Sequence, residues 1–291
     1  MMRGRTQIEA GKFDIMHTFE SAQPLTFFGD YDYSRKEIKY PLMGRQVRVD
    51  RLGRIVEGKG ATVKADVARR FRINEDISAV YSRISTDDFI RSSIKEYAGM
   101  RLTHNLPWET TLVFILSQFN NVKRIRMTTK KLMERYGDPV LDSEGNVVGS
   151  GVPGPEELSS AKVEDLMSCG TGFRAKYLIS AAKYCSSSLD LDRISANDYS
   201  AIKDELMEID GVGDKVADCI ALMGYGKLEA FPIDTWIKRL VEAVYFGGKK
   251  RSPKQIHEFA SERWGALAGY AQQYIFWYGR SRWKTWISKN R

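Results

Sequence analysis

Residues 206–223 read Leu-Met-Glu-Ile-Asp-Gly-Val-Gly-Asp-Lys-Val-Ala-Asp-Cys-Ile-Ala-Leu-Met, with two glycines placed either side of a single valine. Val216, Cys219, Ile220 and Met223 recur at helical spacing after the glycines, and an amphipathic segment precedes them. This is the pattern of a helix-hairpin-helix over about residues 202–223. Gly211 and Gly213 permit a tight turn and close backbone approach, while the unpaired amides opening the second helix favour an anion such as a DNA phosphate. Lys215 falls in the first turn of that helix, where the macrodipole disfavours a cation. Two readings stay open for it: a solvated lysine touching phosphate, or a desolvated amine with nucleophilic character. Downstream, Ala230-Phe-Pro-Ile-Asp-Thr-Trp236 places Asp234 where it would cap a helix, or would set a carboxylate beside that amine to stabilise developing positive charge.

Working outward, the chain divides near residue 68. Before it, Val47-Arg-Val49 and Ile55-Val-Glu57 alternate with the period of strands, broken by Gly44, Gly53, Gly58 and Gly60. The expectation is an N-terminal antiparallel β-rich domain over 1–68. Beyond it the period lengthens: Ile77, Val80, Tyr81 and Ile84 share a helical face, and Thr86-Asp87 opens a helix carrying Phe89, Ile90 and Ile94. Leu112-Val-Phe-Ile-Leu116 follows Pro107 and is apolar nearly all round, as a central buried helix would be. Further helices are expected over 156–167, 174–185, 199–208, 215–223, 235–245, 253–264 and 268–278. The Gly/Pro-rich stretch 138–155 reads as an exposed excursion with a small hairpin. The fold class is therefore α+β, mainly α, with a two-part helical core over 69–291.

Composition narrows the function. Three cysteines, Cys169, Cys185 and Cys219, have no CxxC spacing, and three scattered histidines make no HExxH. A thiolate cluster and a histidine-rich metal site are excluded on that count. A net charge of +8 suits a polyanionic partner without requiring one. No run approaches the ~18 apolar residues of a membrane span, and a soluble, intracellular protein is expected, without membrane attachment and associated with the cytoplasm or nucleoid.

The hairpin Gly211-Val-Gly-Asp-Lys-Val-Ala-Asp-Cys-Ile and the later Phe-Pro-Ile-Asp234 together resemble the helix-hairpin-helix-GPD superfamily of DNA glycosylases. The lysine resembles the bifunctional branch. Ser117-Gln-Phe-Asn-Asn-Val-Lys-Arg-Ile125, Gly172-Phe-Arg-Ala-Lys-Tyr177 and Trp264-Gly-Ala-Leu-Ala-Gly-Tyr-Ala-Gln-Gln-Tyr-Ile-Phe276 sharpen the resemblance toward 8-oxoguanine DNA glycosylases, archaeal-type and without an iron–sulfur cluster, over roughly residues 100–280.

The resemblance implies that Lys215 attacks the deoxyribose C1′ and that Asp234 is the catalytic carboxylate. Gln272 would read the edge of the extruded base, with Phe276 and Cys219 enclosing its faces and Trp236 contributing to the pocket. Gly211, Val212, Gly213 and Val216 would meet the DNA backbone. Phe173, Arg174 and Gln118, Phe119, Asn120 and Asn121 would occupy the space left in the duplex. The implied partner is double-stranded DNA containing an oxidised guanine, bound by a monomer. No cofactor is implied beyond a monovalent cation on hairpin carbonyls. The sequence departs from the pattern at Asp210 and Asp214, which bring acid to the phosphate site, and at Trp236, where histidine is usual. In residues 1–65 only Ala22-Gln-Pro-Leu-Thr-Phe27 suggests the strand motif whose carbonyl recognises the oxidised base. A glycosylase for another damaged base, such as an alkylated purine, and a non-catalytic DNA-binding protein remain as alternatives.

Overall fold

Helix-forming segments dominate the computed structural model of the chain, which describes residues 13–187 and 193–289. The first twelve residues of the expected N-terminal domain and the last two of the expected core lie outside that range. The strand-patterned sequence forms four strands, Asp30–Asp32, Glu37–Leu42, Arg45–Asp50 and Ile55–Glu57. They pair antiparallel in sequence order, with Ile38 opposite Val49 and Tyr40 opposite Val47, so that these four bury one face. Two helices absent from the sequence expectation, Ile15–Glu20 and Leu25–Phe28, pack with this sheet.

The Gly/Pro-rich excursion is corrected by the structure. Pro139–Leu141 and Val147–Ser150 form a hairpin, and its first strand pairs parallel to the third through Arg45 and Leu141. The sheet therefore draws strands from both sides of residue 68 and is not purely antiparallel. Helix Ala61–Arg70 also crosses that point. Its fully buried Arg70 reaches Asp66 at 3.0 Å and Glu109 at 2.8 Å, with its guanidinium 4.8 Å from the Tyr40 ring centroid. A buried cation is tolerated only where such partners surround it, and these partners join sheet and helices around one core.

The central helix is Pro107–Ser117, buried from Trp108 to Leu116 as its unbroken apolar run requires. Against it packs helix Asp214–Gly224, the second of the hairpin; the first is Tyr199–Met207. The single helix expected over 156–167 is two short ones, Pro155–Ser159 and Val163–Ser168. Ser159 and Ser160 hydroxyls donate back to the Glu156 and Glu157 carbonyls, competing with helix continuation. Helices Thr235–Tyr245, Pro253–Trp264 and Ala268–Lys289 complete the helical part, the last running well past residue 278. No helix among the described residues is long and apolar enough to cross a membrane.

Candidate active site

Two helix starts and one long helix meet at a cleft of about 730 Å³, its open mouth included, lined by Lys215, Asp234, Cys219, Gln272, Gln273, Phe276, Arg280, Ala22, Phe114, Ser117 and others. Lys215 reaches it from the first turn of helix Asp214–Gly224, two residues after the Gly213 cap. Its Nζ donates to Ser117 Oγ at 3.2 Å and lies 5.1 Å from the centroid of the Phe114 ring. The amine is thus held half-buried between a hydroxyl and an aromatic face. Asp234 caps the helix beginning at Thr235: Oδ1 accepts from the Ile237 amide at 2.7 Å. One carboxylate serves as both cap and cavity wall.

The remaining walls are apolar faces and amide edges. Cys219 is one helical turn after Lys215 and buried; burial pushes its thiol up to about 12, over the opposing pull of the Lys215 amine, so it stays neutral. Gln272 and Gln273 are both buried, so neither is a solvent-facing flank residue. Gln272 Nε2 donates to the Pro232 carbonyl at 3.1 Å, and its buried Oε1 has no hydrogen-bond partner. An unsatisfied buried acceptor at a cavity wall is costly until a ligand donor meets it. Gln273 Nε2 donates to the Ser21 carbonyl at 2.9 Å.

The next residue, Ala22, lines the cleft at φ +59°, in a region that side chains rarely adopt. Gln23 holds it from the other side, donating to Ser21 Oγ and the Arg101 carbonyl and accepting from the Thr103 amide. The segment 22–27 is a turn and a short helix here rather than a strand, and it presents strained backbone to the cleft.

The hairpin places its backbone beside this site. Gly211 has φ +82°, and a Cβ there would lie 2.4 Å from the Tyr177 ring, so the position admits only glycine. Gly213 faces open space. Val212 and Val216, expected to meet DNA, instead bury their side chains, and their amides donate to the Ile209 and Gly213 carbonyls. Apolar side chains at helical spacing go to the core, which leaves Gly213 exposed at the turn. The two departing acids are occupied: Asp214 pairs with Lys203 at 3.2 Å, and Asp210 accepts from Ser180 at 2.8 Å.

The residues expected to face the duplex separate into exposed aromatics and internal ties. Phe119 is 97% exposed at φ +46°, and Phe173 is 52% exposed. Arg174, expected to enter the duplex, is buried; it donates to the carbonyls of Gln118 at 2.7 Å and of Phe119 and Thr171 at 3.1 Å. Buried carbonyls need donors, and this guanidinium supplies them, so Arg174 fixes the Phe119 loop. Asn120 Nδ2 donates to the Leu116 carbonyl, Asn121 Oδ1 caps helix Val122–Tyr136, and Gln118 Nε2 donates to the Ile115 carbonyl, three further ties on the same loop. Asn120 and Asn121 also line the cleft.

Trp236, expected in the base pocket, is not among the residues lining the cleft. Its ring meets Trp283 edge-on at 6.5 Å and carries the Arg239 guanidinium at 5.4 Å, because the next-but-one position after the cap points along the packed helices. Sequence reasoning missed Gln273, Ser117 and Arg280 as cavity residues. Arg280 lies beyond the expected end of its helix, and its four-residue spacing from Phe276 was the available signal.

The fold and the cleft together define a base excision repair protein: residues 112–266 match the family described as HhH-GPD superfamily base excision DNA repair protein, and the chain belongs to it. It is 39% identical over 122 residues to a probable N-glycosylase/DNA lyase of Methanothermobacter thermautotrophicus, a match covering 42% of this chain and 39% of that one. The chain thus spans well under two thirds of that curated relative. Among solved structures it resembles MBOgg1 in complex with a low-affinity DNA ligand, at 32% identity, TM-score 0.85 and 97% coverage of both chains. It also resembles the Clostridium acetobutylicum 8-oxoguanine glycosylase/lyase in complex with double-stranded DNA containing cytosine opposite 8-oxoguanine, at 28% identity, TM-score 0.84 and 93% coverage of both.

Proposed function

We propose that the chain is a bifunctional DNA glycosylase and abasic-site lyase that excises 8-oxoguanine from double-stranded DNA, acting as a monomer. The observation that carries this is the convergence of the Lys215 amine and the Asp234 carboxylate on one cleft whose other walls are Phe276, Cys219 and the unsatisfied Gln272 edge. The names of its relatives agree with it.

A base inside a duplex hides its glycosidic carbon, so the nucleotide is first swung out, at a cost of a few kcal/mol that wedging and pocket contacts offset. The neutral Lys215 amine then attacks C1′; the C1′–N9 bond breaks and its electron pair leaves with the base, which takes up a proton. Asp234 stabilises the positive charge that develops on the sugar. Loss of an amine proton and ring opening give a Schiff base, which acidifies the 2′ hydrogen; its removal expels the 3′ phosphate oxygen and breaks the strand. Gln272 Oε1 accepts from the base edge, and the Ala22 carbonyl accepts the N7–H that oxidation adds to the purine, a role that the strained Ala22 backbone in the cleft wall supports. The turn carbonyl of Ile209 accepts one amide, from Val212, and keeps a second lone pair, a hard oxygen donor that suits a monovalent cation.

Borohydride trapping on an 8-oxoguanine duplex tests the reading: wild type gives a covalent adduct, and Lys215→Gln lowers its yield by about 10³-fold or more. Trapping that persists in the variant would remove the nucleophile from position 215.

A further inference from the structure

Gln272, Phe276 and Arg280 all line the cleft from helix Ala268–Lys289 at spacings of four residues, and their burial falls in that order. Gln272 is 6% exposed, Phe276 is half-buried and Arg280 is exposed at the mouth. Each four-residue step rises about 6 Å along the helix, so the stripe is a ladder from the cleft floor to solvent. The guanidinium of Arg280 lies 5.9 Å from the Phe276 ring centroid, and among the described residues it has no carboxylate partner. Of the cleft-lining residues three are charged: Lys215, Asp234 and Arg280. The first two face the sugar, which leaves Arg280 without a role in the chemistry.

Resting on the reading above, the structure assigns Arg280 to the phosphate of the extruded nucleotide: we propose that it grips a backbone phosphate flanking the lesion and holds the nucleotide in the cleft. A nucleotide entering base first, edge at Gln272 and face on Phe276, carries its phosphates about one helical turn further out, where Arg280 waits. The aromatic face keeps the guanidinium over the mouth while its donors stay free for phosphate oxygens.

The test is binding to a duplex holding a tetrahydrofuran abasic analogue, which is not cleaved and does not depend on which base is excised. Arg280→Gln is expected to bind roughly fivefold to tenfold more weakly at moderate salt. Its plot of log K against log[salt] should be shallower by about 0.9, one phosphate's worth, with Arg280→Lys restoring most of the slope. Replacing the two phosphates flanking the analogue, one at a time, by neutral methylphosphonate should weaken wild type at one position and leave Arg280→Gln unaffected there. An unchanged salt slope, or equal methylphosphonate losses in both proteins, overturns the assignment. Failure of the parent reading would show separately, as absent borohydride trapping on 8-oxoguanine duplex by wild type.

Discussion

The cleft wall and the duplex-facing rim achieve order in opposite ways. In the cleft, the polar side chains are themselves tied and partly or fully buried: Gln272 to the Pro232 carbonyl, Gln273 to Ser21, Asp234 to the Ile237 amide. On the rim, the side chains stand free while the backbone beneath them is fastened; Phe119 projects into solvent from carbonyls held by Arg174. A pocket that distinguishes bases needs fixed polar atoms, because an unmatched buried group costs more than a matched one returns. A wedge entering a duplex of varied sequence needs only a large apolar surface at a fixed point.

The largest effect that would sharpen this contrast belongs to Asp234. Asp234→Asn keeps a helix cap, so thermal stability should hold nearly constant while single-turnover excision falls on the order of 10²-fold to 10³-fold. A melting temperature that falls in parallel with activity would mean that the carboxylate serves the fold alone. Next come Gln272→Ala and Phe119→Ala, which should fail differently. The first should lose roughly tenfold in excision of oxidised guanine and spare cleavage of preformed abasic sites. The second should lose about tenfold on paired duplexes whatever the base, and much less where the lesion lies in an unpaired bulge. Identical substrate profiles for the two variants would break the division between wall and rim.

A further effect, on stability rather than on activity, lies away from both regions. Burial, with Arg72 and Arg69 adding repulsion, holds His104 down to about 4, against an ordinary value of 6.5. A histidine with a lowered folded value binds fewer protons folded than unfolded, so stability should decline as pH falls from about 6.5 toward 4 and then level off. The loss should approach about 3 kcal/mol, and His104→Gln should flatten that part of the profile in urea titrations. An unchanged slope in the variant would assign the pH response to other groups.

How far the sequence could be read follows the same physics. The hairpin, the buried helix at Pro107 and the caps at Asp87 and Asp234 were legible because periodicity and capping act within one turn of chain. The catalytic pair was legible through the resemblance, which carried two residues to positions that the structure brings to one cleft. Long-range placement was not legible. No local pattern says that strands at 139–150 complete a sheet begun at residue 30, since pairing across that distance is decided by tertiary packing. Arg174 read as a group filling the duplex and Trp236 as part of the base pocket, whereas neighbouring carbonyls claim the first and a second tryptophan claims the other. Gln273 was invisible as a tie because its partner lies 252 positions away.

The ring of Tyr177 touches both of the elements proposed to meet DNA. Gly211 of the hairpin closes against one side of it, and Phe173 meets it edge-on at 6.1 Å. On the proposed reading, the spacing between the hairpin where a phosphate would sit and the aromatic that would enter the helix is fixed through this one phenol. A strand lodged on the first would not slide relative to the second, and the register between gripping and prying would be built into the chain before any nucleic acid arrives.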